Sequence, residues 1–194
     1  FEDTLNCKNI EVIENPVINI ENSLIKKREK TIITTGRLIP SKNHISLVRI
    51  FSKLKRKDWK LKILGDGPEM KNLKTEINNL NLNDSIELLG KTNNVTEYLN
   101  HSSIFAFTSK SEGYPNALVE GMCSGLACIS YDCPAGPDEI INNGVNGFII
   151  KNFNEDDYLK QLQELINSEK LRNHISLNAL KIKERNNIKY ISEK

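Results

Sequence analysis

Ser103-Ile104-Phe105-Ala106-Phe107-Thr108 and the run just after it, Ser111-Glu112-Gly113-Tyr114-Pro115-Asn116-Ala117-Leu118-Val119-Glu120-Gly121, decide how the fold is read. The first run is apolar and aromatic, as a buried strand is. Pro115 stands where a first helical residue is favoured, so the pair predicts a strand, a tight loop and a helix. Glu112 then belongs to the loop and Glu120 to the first turns of the helix. In that arrangement the free N–H groups of Asn116, Ala117 and Leu118 point toward the strand's carboxyl end, where their partial positive charge favours a phosphate. Glu120 comes within reach of vicinal hydroxyls such as a ribose pair. The competing reading is an ordinary glycine–proline turn beside a solvated glutamate.

The same alternation continues in both directions. Short runs rich in Ile, Val and Phe predict strands at 31–35, 61–64, 86–89, 104–108, 127–131 and 148–150. Between them Ile45, Val48, Phe51 and Leu54 recur at three- and four-residue spacing after Asn43, and Met70, Leu73, Ile77 and Leu80 do so after Pro68. Each set is the apolar face of an amphipathic helix. Tyr158, Leu162, Leu165 and Ile166 begin a C-terminal helical region that runs to about residue 183. Strands alternating with helices imply an α/β fold: a doubly wound parallel sheet of about six strands with helices on both faces.

In such a sheet, ligands sit at the carboxyl ends of the strands where the strand order reverses, so the strand-ending loops carry the chemistry. Thr35-Gly36-Arg37-Leu38-Ile39-Pro40-Ser41-Lys42-Asn43 offers Arg37 as a bidentate fork and Lys42 as a point charge. That pair suits a diphosphate; the plainer alternative is two surface cations. Gly65-Asp66-Gly67-Pro68-Glu69-Met70 has Met70 where the third glycine of a dinucleotide fingerprint would stand. Gly65 and Gly67 allow a tight turn near a ligand, and Asp66 is a candidate N-cap or base contact. Leu89-Gly90-Lys91 reads either as a glycine turn or as backbone amides laid along a nucleobase edge. The 131–141 segment leaves its strand through a Pro/Gly turn, and 143–148 forms a structural corner.

Composition narrows the partners. The 194 residues suit one domain with a real core, and 27 basic against 25 acidic residues leave a formal charge of +2. Without a dense basic block, nucleic acid is not an expected partner. No apolar run reaches membrane-span length, and Phe1-Glu2-Asp3-Thr4 does not open a signal peptide. Cys7, Cys123, Cys128 and Cys133 form no Cys-x-x-Cys pair, and His44, His101 and His174 are scattered. Zinc and redox-motif readings are therefore disfavoured, reduced thiols are expected, and the location follows as cytoplasmic. There is no Asp-x-Asp metal motif.

Several of these motifs stand in register: Gly36-Arg37-Leu38 with Lys42-Asn43, Gly65-Asp66-Gly67-Pro68, Leu88-Leu89-Gly90, the 109–120 run and Gly136-Pro137-Asp138-Glu139-Ile140-Ile141. Together they resemble the donor-binding half of retaining glycosyltransferases of family four, over about residues 12–179. The resemblance implies a GT-B architecture of two facing Rossmann-like domains. Under it, Arg37 and Lys42 hold the donor diphosphate and neutralise charge on the leaving group. Glu120 binds the ribose hydroxyls. Glu112 lies on the sugar-facing side, positioning the sugar or stabilising positive charge at its anomeric carbon. Gly36, Gly65, Gly90, Lys91 and Pro115 belong to the donor site, and amides from Gly113, Tyr114, Asn116, Ala117 and Leu118 approach sugar hydroxyls and phosphate. Transfer proceeds with retention, without a metal or other cofactor, the nucleotide-diphosphate sugar being a substrate.

The resemblance also implies a missing half. Residues 1–15 read as the end of an interdomain crossover, 16–185 as the donor-binding domain and 186–194 as a tail, with the N-terminal acceptor domain absent. Position 14 is Glu where the family more often has Pro. A fragment of this kind is expected to be inactive alone. The full enzyme would act on a glycan or lipid-linked acceptor in cell-surface polysaccharide biosynthesis, at the inner face of a membrane, with UDP favoured as the nucleotide. The alternatives are a dinucleotide-dependent oxidoreductase domain, or a noncatalytic nucleotide-binding module, phosphorylase or epimerase on the same scaffold.

Overall fold

Runs of β-branched and aromatic residues separated by amphipathic segments fold into six strands that are parallel throughout. The computed structural model describes residues 28–134 and 136–185. Its strands are β1 (Thr31–Thr35), β2 (Lys60–Leu64), β3 (Ile86–Gly90), β4 (Ile104–Phe107), β5 (Ala127–Tyr131) and β6 (Phe148–Ile150), in the order β3-β2-β1-β4-β5-β6. Every residue of β1, β4 and β5 is buried. Helices cover both faces there, which is why these strands read as continuous apolar runs rather than alternating ones.

The helices are α1 (His44–Ser52), α2 (Met70–Asn79), α3 (Val95–His101), α4 (Asn116–Cys123), α5 (Pro137–Ile140), α6 (Glu155–Asn167), α7 (Glu169–Ala179) and α8 (Ile182–Arg185). Side chains alternate across the sheet and split the core in two. Ile32, Ile63, Ile104 and Ile129 pack with Leu47, Leu73 and Leu162, the faces of α1, α2 and α6. Ile33, Leu64, Phe105 and Cys128 pack with Leu99, Leu118 and Met122 of α3 and α4. This period-two division is what fixes each strand's register.

The fold class is the one expected, and the boundaries moved by a residue or so. β4 ends at Phe107 instead of 108. Pro115 is the N-cap, at φ −83° and ψ 61°, and the helix begins at Asn116. The C-terminal helical region is three helices. Asn154 caps α6 by accepting from the amides of Asp156 and Asp157, and Ser168 caps α7 by accepting from Leu171; those two side chains start new helices where the sequence suggested one stretch. The crossover at 1–15 and the tail at 186–194 lie outside the described residues. No helix among the described residues is long and apolar enough to cross a membrane.

Candidate functional site

The strand order reverses between β1 and β4, and these two strands pair only through Ile32–Ile104 and Ile33–Phe105. Their carboxyl ends splay apart, and the loops that leave them diverge into a crevice. Two bonds bridge its floor: the Lys110 amide donates to Ser41 O at 2.8 Å, and Thr108 Oγ1 donates to Lys42 O at 3.1 Å. The loop carrying Lys42 is therefore held by the end of β4.

On the other side, the loops after β1, β2 and β3 continue the ladder beyond the strands. Gly36 donates to Leu64 O, Gly65 to Gly90 O and Leu38 to Asp66 O, at 2.9–3.0 Å. Gly65 adopts φ +142°, and a Cβ there would stand 1.8 Å from Gly36 O. Only glycine lets the two backbones approach so closely, and that approach sets where Arg37 starts. Across the crevice, a Cβ on Gly121 would meet the Phe105 ring at 2.6 Å, so its absence seats α4 directly on β4 and brings Glu120 to the cavity wall.

The resulting cavity has a volume of about 640 Å³, within the range of small-molecule sites. Lys42 Nζ donates to both carboxylate oxygens of Glu112, at 2.5 and 2.7 Å, and lies 6.0 Å from the centre of the Phe107 ring. The Lys42 side chain is 21% exposed and that of Glu112 is 8% exposed. Arg37 is exposed and makes no ion pair among the described residues. Burial holds the Glu120 carboxyl above its usual range. Next to Lys42, His44 is buried with Nδ1 unpartnered, and burial followed by the Lys42 charge pushes its pKa down to about 4.

The residues singled out from sequence converge here. Gly36, Arg37, Lys42, Gly65, Gly90, Lys91, Glu112, Tyr114, Pro115, Asn116, Ala117 and Glu120 all line the cavity. Gly113 and Leu118 do not. Leu118 is fully buried in the second core, and its amide donates to Pro115 O at 2.9 Å. The Asn116 amide likewise donates to Tyr114 O, so the expectation of three free amides at the start of α4 is corrected. With the helix beginning one residue late, the turn consumes two of them; the Ala117 amide has no protein partner among the described residues. Asp66 is not an N-cap: its Oδ1 accepts from Gly67, three residues before α2.

Sequence reading missed Thr35, Leu64, Thr92, Val95 and Phe107 as lining residues. Thr92 and Val95 follow β3 at the start of α3, a short helix of seven residues that no long apolar period announced. Phe107 was legible only as the end of a strand. Cys123, Cys128 and Cys133 are free and buried, Cys7 lies outside the described residues, and burial pushes the thiols of Cys123 and Cys133 up to about 11.

The chain is similar to known proteins. AmsD of Erwinia amylovora, an amylovoran biosynthesis glycosyltransferase, is 32% identical over 176 residues, covering 87% of this chain and 50% of that protein. A Campylobacter jejuni N-acetylgalactosamine-N,N'-diacetylbacillosaminyl-diphospho-undecaprenol 4-alpha-N-acetylgalactosaminyltransferase is 33% identical over 175 residues, 87% of this chain and 47% of that protein. A TarM variant from S. aureus, solved in complex with fondaparinux, alpha-GlcNAc-glycerol and UDP, matches with a TM-score of 0.89 at 25% identity, covering 98% of this chain and 39% of that one. The chain spans about half the length of the curated relatives it matches. Its six-stranded all-parallel sheet is Rossmann-like and matches GT-B glycosyltransferase structures. Residues 18–182 match the family of glycosyl transferases group 1, and the chain belongs to that family.

Proposed function

We propose that this chain is the donor-binding half of a retaining, family-four glycosyltransferase that moves a sugar from a nucleotide-diphosphate sugar, UDP-linked by preference, to a glycan or lipid-linked acceptor. The observation that carries the reading is the meeting of Arg37, Lys42, Glu112 and Glu120 around one cavity at the strand-order reversal. Arg37 and Lys42 take the diphosphate and, in place of a metal ion, neutralise the charge that grows on it as the glycosidic bond breaks. Glu120 accepts from the ribose hydroxyls. Glu112 faces the transferred sugar, and the backbone at Gly90 and Lys91 takes the base edge. The acceptor attacks from the leaving-group face, and a donor phosphate oxygen takes its proton. Gly113 and Leu118 are left out of contact with the donor.

UDP in the TarM complex supports the nucleotide, and the alpha linkages of the alpha-GlcNAc-glycerol bound in that complex and in the name of the C. jejuni enzyme support retention. Amylovoran and diphospho-undecaprenol, in the names of the two curated relatives, support a cell-surface polysaccharide or lipid-linked acceptor met at the cytoplasmic face of the membrane. The acceptor site and catalytic turnover require a second domain of similar size, so this segment alone binds donor weakly and transfers nothing. Calorimetric titration with UDP, GDP, ADP and NAD tests the reading. Selective binding of UDP, weakened about tenfold by Glu120→Ala, is expected; binding of NAD in preference to all three diphosphates overturns it.

A further inference from the structure

Among the described residues, Lys42 is the cavity cation that is already paired. Both oxygens of Glu112 accept from its ammonium, over a floor formed by the Phe107 ring, while Arg37 stands open to solvent. The two residues are far apart in sequence and come from loops on opposite sides of the crevice, tied together by the Ser41–Lys110 and Lys42–Thr108 bonds. The pair is largely withdrawn from water, where a charge separated from its partner is costly. Nothing but a stronger anion can take Lys42 at little cost.

We propose that Glu112 is a built-in competitor for the diphosphate site: its carboxylate holds Lys42 in the empty protein, and a ligand gains that cation only by displacing it. The inference rests on the donor-site reading above and adds a selectivity to it. A diphosphate carries more charge than one carboxylate and engages Arg37 as well, so it wins the exchange. A neutral nucleoside has nothing to offer Lys42 and leaves the pair closed. Displacement also frees the Glu112 carboxylate, and makes it available to the sugar only when a diphosphate is in place. The closed pair lowers apparent affinity by the fraction of molecules that are open, which for a pair closed about nine-tenths of the time is about 10-fold.

Two measurements separate this proposal from the reading it rests on. The first uses no nucleotide: the acylation rate of Lys42 by acetic anhydride, followed by mass spectrometry, rises several-fold in Glu112→Gln because the amine has lost its partner. An unchanged rate overturns the proposal. Glu112→Asp, which retracts the carboxylate by one methylene, gives an intermediate rate and serves if the glutamine variant folds poorly. The second is calorimetry with inorganic pyrophosphate, UDP and uridine. Glu112→Gln binds pyrophosphate and UDP about 5- to 30-fold tighter and uridine no differently, and the gain vanishes on a Lys42→Ala background. A gain that survives without Lys42 makes Glu112 a simple electrostatic repeller and overturns the exchange, as does no gain at all. Pyrophosphate gain without any UDP binding keeps the exchange and sinks the donor reading.

Discussion

At the amino end of the sheet, Arg28 donates from Nη1 to Leu99 O, Asn100 O and Ser102 O, at 2.7–3.3 Å, and from Nη2 to Ser124 O at 2.7 Å. At the carboxyl end, Arg37 has no ion pair among the described residues and Lys42 is held by a single glutamate. The same amino end carries Arg172, which donates to Leu165 O and Ile166 O and lies 5.1 Å from the Trp59 ring centre. Both of these arginines satisfy the orphan carbonyls where helices end, and their positive charge suits the negative pole of each helix. Among the described residues, the cations near the cavity serve no such carbonyls. Identical side-chain chemistry is consumed by the fold at one end of the sheet and left for a ligand at the other.

Removing Arg28 tests this contrast most severely. Arg28→Ala strands several buried carbonyls at the ends of α3 and α4, and unfolding followed by Trp59 fluorescence should show a loss of roughly 3–4 kcal/mol. A loss below about 1 kcal/mol would mean that water replaces the guanidinium and that the two ends do not differ.

Acid probes the cavity end through His44. Its pKa falls from 6.5 to about 4 on folding, so between those pH values the unfolded chain takes up a proton that the folded chain refuses. Stability therefore drops as the pH falls through that window, by roughly 3 kcal/mol, and is unaffected by this group above it. Glu120, whose pKa rises on folding, acts in the opposite sense and recovers part of the loss at the acid end. Urea titrations at pH 7, 5.5 and 4.5 should show the drop, and His44→Leu should flatten it; an equal slope in the variant would move the effect elsewhere.

Arg37→Ala sharpens the comparison from the other side. It should weaken UDP binding about tenfold, leave uridine binding unchanged and shift the unfolding midpoint hardly at all. A stability loss like that of Arg28 would show that Arg37 is structural after all. The smallest effect belongs to Arg49, paired with Glu76 at 2.7 Å on an exposed surface: Arg49→Ala should change stability by no more than about 0.5 kcal/mol and binding not at all.

The strands and the two long amphipathic helices were legible because hydrophobic period and turn chemistry are local. Ile32 and Ile33 face opposite cores, as a period of two requires, and Gly65-Asp66-Gly67-Pro68 marks a turn wherever it occurs. Local rules failed at helix starts: Pro115 looked like a first helical residue and is a cap, and the free amides assigned to Asn116 and Leu118 are spent inside the turn. They also passed over α3, too short for a periodic signal, and with it Thr92 and Val95.

The sequence by itself determined a parallel α/β sheet, the loops at its carboxyl edge and the residue types that those loops present. The tertiary structure alone decided which charges are free, because that depends on what the strand order brings face to face. Lys42 and Glu112 lie 70 residues apart and meet only because β1 and β4 are neighbours at the reversal. Arg28 and Arg37, nine positions apart on either side of β1, face helix carbonyls in one case and open cavity in the other. A strand carries its two flanking residues to opposite ends of the sheet, and only the packed neighbours at each end settle whether a cation there is already satisfied.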